Sequence, residues 1–272
     1  MTERKTKTKD FEIIDSHAHI YPDKIAEKAS VAISKFYDIE MLHHGSTKEL
    51  LEEGKSAGIS RFLVHSVATT AEQVHRINLF LLSEITTHSE FIGFMSLHPD
   101  MEIEDMKREV EFGIENGFKG IKLHPDFQKF HIDGKRAEKI YEAVDGRLPI
   151  LVHAGDYRYD FSKPSRVSNA LKMHPNQNMI CAHFGGWSEW EDLSCYKGLD
   201  NAYFDTCSSL YTLDKEKAVE IIREFGADKF FFGTDYPMWD AGEELERFFA
   251  LQLTDEERQM ILSKNLINFL KL

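Results

Sequence analysis

The chain has 272 residues, a length that a single (β/α)8 barrel of about 250 residues fills without a second domain. A formal net charge of -13 argues against a nucleic-acid partner, since phosphate backbones are held by basic surfaces, but leaves room for a small anionic substrate in a local cationic pocket. Three scattered cysteines (Cys181, Cys195 and Cys207), none in a C-x-x-C pair, argue against a disulfide framework. No apolar run approaches the roughly 20 residues of a membrane span. The polar segment 1–10 lacks the apolar core of a signal peptide and reads as a flexible extension, so a cytoplasmic protein without membrane contact is expected.

The first apolar run covers residues 11–15 and ends in Asp-Ser-His-Ala-His. A long connection, 20–45, follows, then a helical pattern over 47–57 with Leu50, Leu51 and Ala57 on one face. Strand 61–65 leads to a helix expected over 69–87, opened by Thr69-Thr-Ala-Glu72 as a capping box. Strand 91–97 precedes helix 101–116, which Gly117 should end. Strands 120–123, 150–153, 179–182, 202–205 and 230–233 complete a set of eight. Helices are expected over 134–144, 164–173, 187–196, 214–225 and 242–251, with a helical tail over 254–272 opened by Thr254-Asp-Glu-Glu257. The strands are nearly all apolar rather than alternating, as expected of parallel strands covered on both faces. Eight strands alternating with helices, without a composition break, predict one (β/α)8 TIM barrel in a single domain, 1–272, with extra C-terminal helices. An open doubly wound sheet lacks its Gly-x-Gly-x-x-Gly after the first strand.

Polar residues stand where those strands end. His17 and His19 are two apart and so point to one side of a strand. His153 closes the fifth strand, His183 the sixth and Asp235 the eighth. A histidine pair alone reads more readily as a chance surface pair than as a ligand pair. Five metal-competent side chains at the ends of buried strands are harder to dismiss, because strand C-termini of a barrel share one mouth.

In this order the H-x-H, His153, His183 and Asp235 resemble the amidohydrolase superfamily. Gly120-Ile-Lys-Leu-His-Pro125, Ala182-His-Phe-Gly-Gly186, Phe232-Gly-Thr-Asp-Tyr-Pro237 and Ile261-Leu-Ser-Lys-Asn265 resemble its amidohydrolase-related group, which includes aminocarboxymuconate-semialdehyde decarboxylase. The resemblance runs over almost the whole chain. It implies His17, His19, His153 and Asp235 as metal ligands. It makes His183 an acid/base or additional ligand, with Asp235 also able to take a proton. One divalent ion is implied, zinc first, with manganese or another divalent ion as the alternative. Lys122 lies where binuclear relatives carry a bridging carbamate. The match to the single-metal group instead favours a substrate anion or structural ion pair, and disfavours a second metal.

Around the expected mouth, Lys122, His124, Arg158, Arg166 and Trp187 are the substrate-binding candidates, an arginine being suited to bidentate pairing with a carboxylate. For Arg158 and Arg166 a solvated loop charge competes evenly. Hydrolysis of a small, carboxylate-bearing molecule by a metal-activated water is the leading expectation. Non-oxidative decarboxylation is the close alternative, and a non-catalytic metal-binding barrel a third. A homodimer is compatible with the family.

Overall fold

The computed structural model describes residues 11–191 and 193–272; the expected flexible extension, 1–10, lies outside the described residues. Eight strands form one sheet in sequence order: β1 (Ile14–His19), β2 (Arg61–His65), β3 (Phe91–Ser96), β4 (Gly120–Leu123), β5 (Ile150–Val152), β6 (Met179–Cys181), β7 (Ala202–Asp205) and β8 (Phe230–Phe231). β1 also reaches the eighth strand, the Ser16 amide donating to Phe232 O at 2.8 Å and Ala18 bridging in parallel to Tyr236. An order that returns to its first strand is that of the (β/α)8 barrel. The strands are buried almost throughout; all six residues of β1 and of β3 are covered.

The described residues fall into two compact units, one from 11–64 with 206–272 and the other from 65–205. In the first, α1 (Asp23–Tyr37) and α2 (Thr47–Ala57) follow β1, and α8 (Lys215–Phe225), α9 (Ala241–Phe249), α10 (Asp255–Gln259) and α11 (Asn265–Leu270) lie in the C-terminal part. In the second, α3 (Val74–Thr87), α4 (Ile103–Glu115), α5 (Pro125–Gln128), α6 (Lys135–Val144) and α7 (Pro164–Met173) alternate with strands paired in parallel register from β3 to β7. α6 shows why such helices form: Ala137, Ile140, Tyr141 and Val144 are buried at helical spacing while its charged residues face outward. Burying a side chain of the Ile or Val type stabilises by about 1.5–3 kcal/mol, so this stripe outweighs intrinsic propensity in fixing the helix.

Several elements differ from the expectation. The first strand begins at Ile14 rather than 11, because Phe11 packs its ring against Phe249 (5.9 Å between centroids) instead of entering the ladder. The strand also runs on through His19, so His17 and His19 belong to it rather than follow it. The connection 20–45 holds a helix, α1. The capping box at 69–72 gives way to a 3-10 turn, Ala71–Gln73, with Gln73 Oε1 accepting from the Thr69 amide (2.9 Å) and hydroxyl (3.1 Å). Among the described residues of 187–196 there is no α-helix: the backbone is left-handed at Phe184 and Ser188, and short 3-10 turns stand at His183–Gly185 and Ser194–Tyr196. The capping box at Thr254 and Glu257 forms as expected.

Candidate metal centre

In the first unit three of the sequence-derived ligands converge. His17 Nε2 and His19 Nε2 each lie 3.4 Å from one atom, Asp235 Oδ1. Ligand atoms bound about 2.05 Å from a tetrahedral ion stand about 3.3 Å apart, so this spacing suits donors sharing a cation. All three residues are buried, with less than a tenth of each exposed. The pair converges because β1 is a strand and its alternate residues share a side. Asp235 arrives from the β8 exit, its amide donating to His17 O at 2.9 Å and its backbone in the left-handed region at φ 61°.

The remaining atoms of these ligands are held by their own unit. Asp235 Oδ2 accepts from the Ser208 hydroxyl at 2.5 Å, and Ser208 Oγ accepts from Trp239 Nε1 at 2.8 Å. His17 Nδ1 lies 3.2 Å from Cys207 Sγ. Beneath them Asp15, wholly buried, accepts from the amides of His17 (2.9 Å) and Thr234 (3.0 Å) and from the Thr234 hydroxyl (2.6 Å). Burial pushes the Asp15 carboxyl up to about 7, against the lowering effect of those three bonds. A backbone stitched this way fixes β1 to the β8 exit, as the convergence of His17 and His19 on Asp235 requires. Asp15 stands two residues before the H-x-H in the sequence, whereas nothing there marks Cys207, Ser208 or Trp239 as neighbours of the ligands.

His153 and His183 belong to the second unit. His183 Nε2 lies 2.9 Å from His153 Nδ1, and the His183 amide donates to Asp205 Oδ1 at 2.8 Å. Trp190 Nε1 donates to His183 O at 2.8 Å. The His153 ring stacks on His124 (4.1 Å, 10°), which stacks on Phe127 (3.8 Å, 12°). Asp126 Oδ2 stands 3.8 Å from His153 Nε2 and accepts from the Ser162 hydroxyl at 2.6 Å. Burial raises its carboxyl to about 7.

The substrate-binding candidates also lie in the second unit. Lys122 is buried in β4, in register with Ser96 and Leu151. Arg158 is held by Asp156 through Nε (2.9 Å) and Nη2 (2.7 Å), and its guanidinium lies over the rings of Tyr159 (5.3 Å) and Trp187 (5.6 Å). Arg166 pairs with Asp133 (2.9 Å) and Asp160 (2.6 Å). Both arginines thus bond carboxylates of the chain itself. Trp187 is buried, 6.4 Å between ring centroids from His153.

The amidohydrolase family profile matches residues 14–272. The chain belongs to the amidohydrolase family. Several solved structures resemble this amidohydrolase at low identity and so speak to its fold. An uncharacterised TIM-barrel protein from Bordetella bronchiseptica superposes with a TM-score of 0.78 at 18% identity, over 96% of this chain and 99% of that one. A 5-carboxyvanillate decarboxylase from Sphingomonas paucimobilis gives 0.75 at 14%, over 96% and 99%. A dihydroxybenzoic acid decarboxylase from Polaromonas sp. JS666, with bound manganese and the inhibitor 2-nitroresorcinol, gives 0.74 at 16%, over 96% and 97%. No curated protein matches the sequence. Among the described residues, no helix of this amidohydrolase is long and apolar enough to cross a membrane.

Proposed function

We propose that this amidohydrolase is a metal-dependent carboxy-lyase that removes CO2 from a small, carboxylate-bearing aromatic compound. The observation that carries the metal half of this reading is the approach of His17 Nε2 and His19 Nε2 to a single oxygen of Asp235. Two neutral imidazoles and a carboxylate form the nitrogen/oxygen set that zinc and manganese both accept. His153 is the fourth ligand in the proposal, from the sequence pattern and the family. Zinc was the first expectation; the manganese in the Polaromonas decarboxylase makes manganese an equal candidate.

A bound divalent ion supplies a fixed positive charge that holds and polarises an anionic oxygen. The chain's own groups do the rest. His17, His19 and Asp235 Oδ1 would hold the ion, while the Ser208 hydroxyl occupies Asp235 Oδ2. Decarboxylation requires a proton at the ring carbon that bore the carboxylate as the carbon–carbon bond breaks and CO2 leaves. His183 and Asp235 are the proposed proton carriers. Lys122, His124 and Trp187 are the proposed substrate contacts, Lys122 for an anionic oxygen and the two rings for an aromatic face. Arg158 and Arg166 act through the carboxylates they hold, shaping the loop after β5.

Hydrolysis was the leading expectation from sequence. The decarboxylase names of several structural neighbours favour the alternative. The deciding experiment incubates the zinc- and manganese-loaded protein with hydroxybenzoates, carboxyvanillates, lactones and amides in D2O. The proposal predicts CO2 release and one deuterium at the vacated ring carbon. Acid release from a lactone or amide, without CO2 from any carboxylate, would overturn it.

A further inference from the structure

β7 contributes no member of the proposed ligand set, yet its exit loop supplies two consecutive residues that reach two different ligands. Cys207 Sγ lies 3.2 Å from His17 Nδ1, on the opposite side of the ring from the Nε2 that approaches Asp235. The next residue, Ser208, donates its hydroxyl to Asp235 Oδ2 at 2.5 Å, leaving Oδ1 to the histidines. Adjacent side chains diverge this way because Ser208 takes a left-handed backbone, φ 46°, which turns the chain between them. Trp239 Nε1 donates to Ser208 Oγ at 2.8 Å, so the hydroxyl proton is committed to Asp235. Cys207, Ser208 and Asp235 are all buried.

We propose that Cys207 and Ser208 are positioning residues for the metal ligands: Cys207 accepts the Nδ1 proton of His17, and Ser208 with Trp239 fixes Asp235 as a one-oxygen ligand. The inference rests on the metal reading above. An imidazole that binds through Nε2 carries its proton on Nδ1, and a partner for that proton fixes both tautomer and ring orientation. In this protein the partner is a sulfur atom. A carboxylate able to offer two oxygens would otherwise rotate between one- and two-oxygen binding; the hydroxyl removes that freedom by occupying one of them. Loss of such supporting contacts typically costs 10–100-fold in metal affinity.

The test measures zinc and manganese dissociation constants by chelator competition for the wild-type protein and for Cys207→Ala, Cys207→Ser, Ser208→Ala and Trp239→Phe, with apo-protein melting curves as the folding control. Affinity should fall roughly 10–100-fold in Cys207→Ala and Ser208→Ala. It should fall less in Trp239→Phe, which keeps the Ser208 hydroxyl. Cys207→Ser should recover most of the affinity, because its hydroxyl still accepts from Nδ1. A role in packing alone predicts the reverse order, since alanine suits a buried apolar site better than a hydroxyl; that order would overturn the proposal. A sulfur-to-metal charge-transfer band in the cobalt-loaded wild type would also overturn it, by making Cys207 a ligand. Wild-type affinity in every variant would reject the positioning role and leave the metal reading standing. No metal binding by the wild type would reject both.

Discussion

Replacing Glu244 by glutamine should flatten the pH dependence of stability near neutrality. Glu244 is a fully buried residue on α9, bonded to Arg247 one turn later. Burial pushes its carboxyl from 4.5 up to about 7, Arg247 opposing the shift and the nearby Asp235 and Asp15 adding to it. An acid whose folded value is raised takes up protons on folding, so its contribution is fully present below the unfolded value and is lost as pH rises through the folded one. With 4.5 unfolded and about 7 folded, the loss between pH 5.5 and 8.5 is about 2 kcal/mol. Glutamine fills the same space and does not ionise. Urea or thermal unfolding of both proteins at the two pH values should therefore show Glu244→Gln gaining about 2 kcal/mol on the wild type at the higher pH, or roughly 5 °C in Tm. Parallel curves would refute the reasoning, because they would mean that Glu244 is already ionised in the folded state.

Three further expectations concern stability. Gly155 has φ +82°, and a Cβ there would meet the Gly186 carbonyl carbon and the Trp187 nitrogen at 2.5 Å, so Gly155→Ala should destabilise by about 3 kcal/mol or more, read as a shift in the unfolding midpoint. The Asn265 side-chain amide donates to Ala227 O and Phe230 O, both at 2.8 Å; Asn265→Ala removes both bonds and should cost about 2–3 kcal/mol by the same measurement. His43 faces the Glu53 carboxylate at 3.0 Å and is hydrogen-bonded to Glu49 (3.2 Å), and the two carboxylates, Glu53 first, raise its pKa above 6.5. Its stabilisation is therefore present at acid pH and lost as pH rises through the raised value. Hydrogen exchange over residues 38–46 should accelerate across that range in the wild type and stay flat in His43→Gln.

Strand positions were readable because both faces of this sheet are covered, so β5 and β6 appear in the sequence as unbroken apolar runs. The strand ends were less readable. Phe11 looks like the start of β1 but spends its ring on Phe249. Residues 187–196 carry a plausible helical pattern that the left-handed residues Phe184 and Ser188 break up, and nothing in their side-chain types announces those angles. At the site, His17, His19 and Asp235 were legible as residue types at strand ends, and they do converge. Cys207 and Ser208 were hidden for a chemical reason: a lone thiol and a serine resemble ordinary core residues until their partners are known. The hydrogen bonds of Arg158 and Arg166 to Asp156, Asp133 and Asp160 were equally out of reach, since they join residues whose approach depends on loop shape.

The most direct measurement is metal stoichiometry by elemental analysis, after dialysis, of the wild-type protein and of His17→Ala, His19→Ala, His153→Ala and Asp235→Asn. The account predicts one tightly held divalent ion per wild-type chain and loss of most of it in each variant that still melts cooperatively. A wild-type protein that takes up no zinc, manganese or cobalt, or variants of His17, His19 and Asp235 that retain a full equivalent, would contradict it.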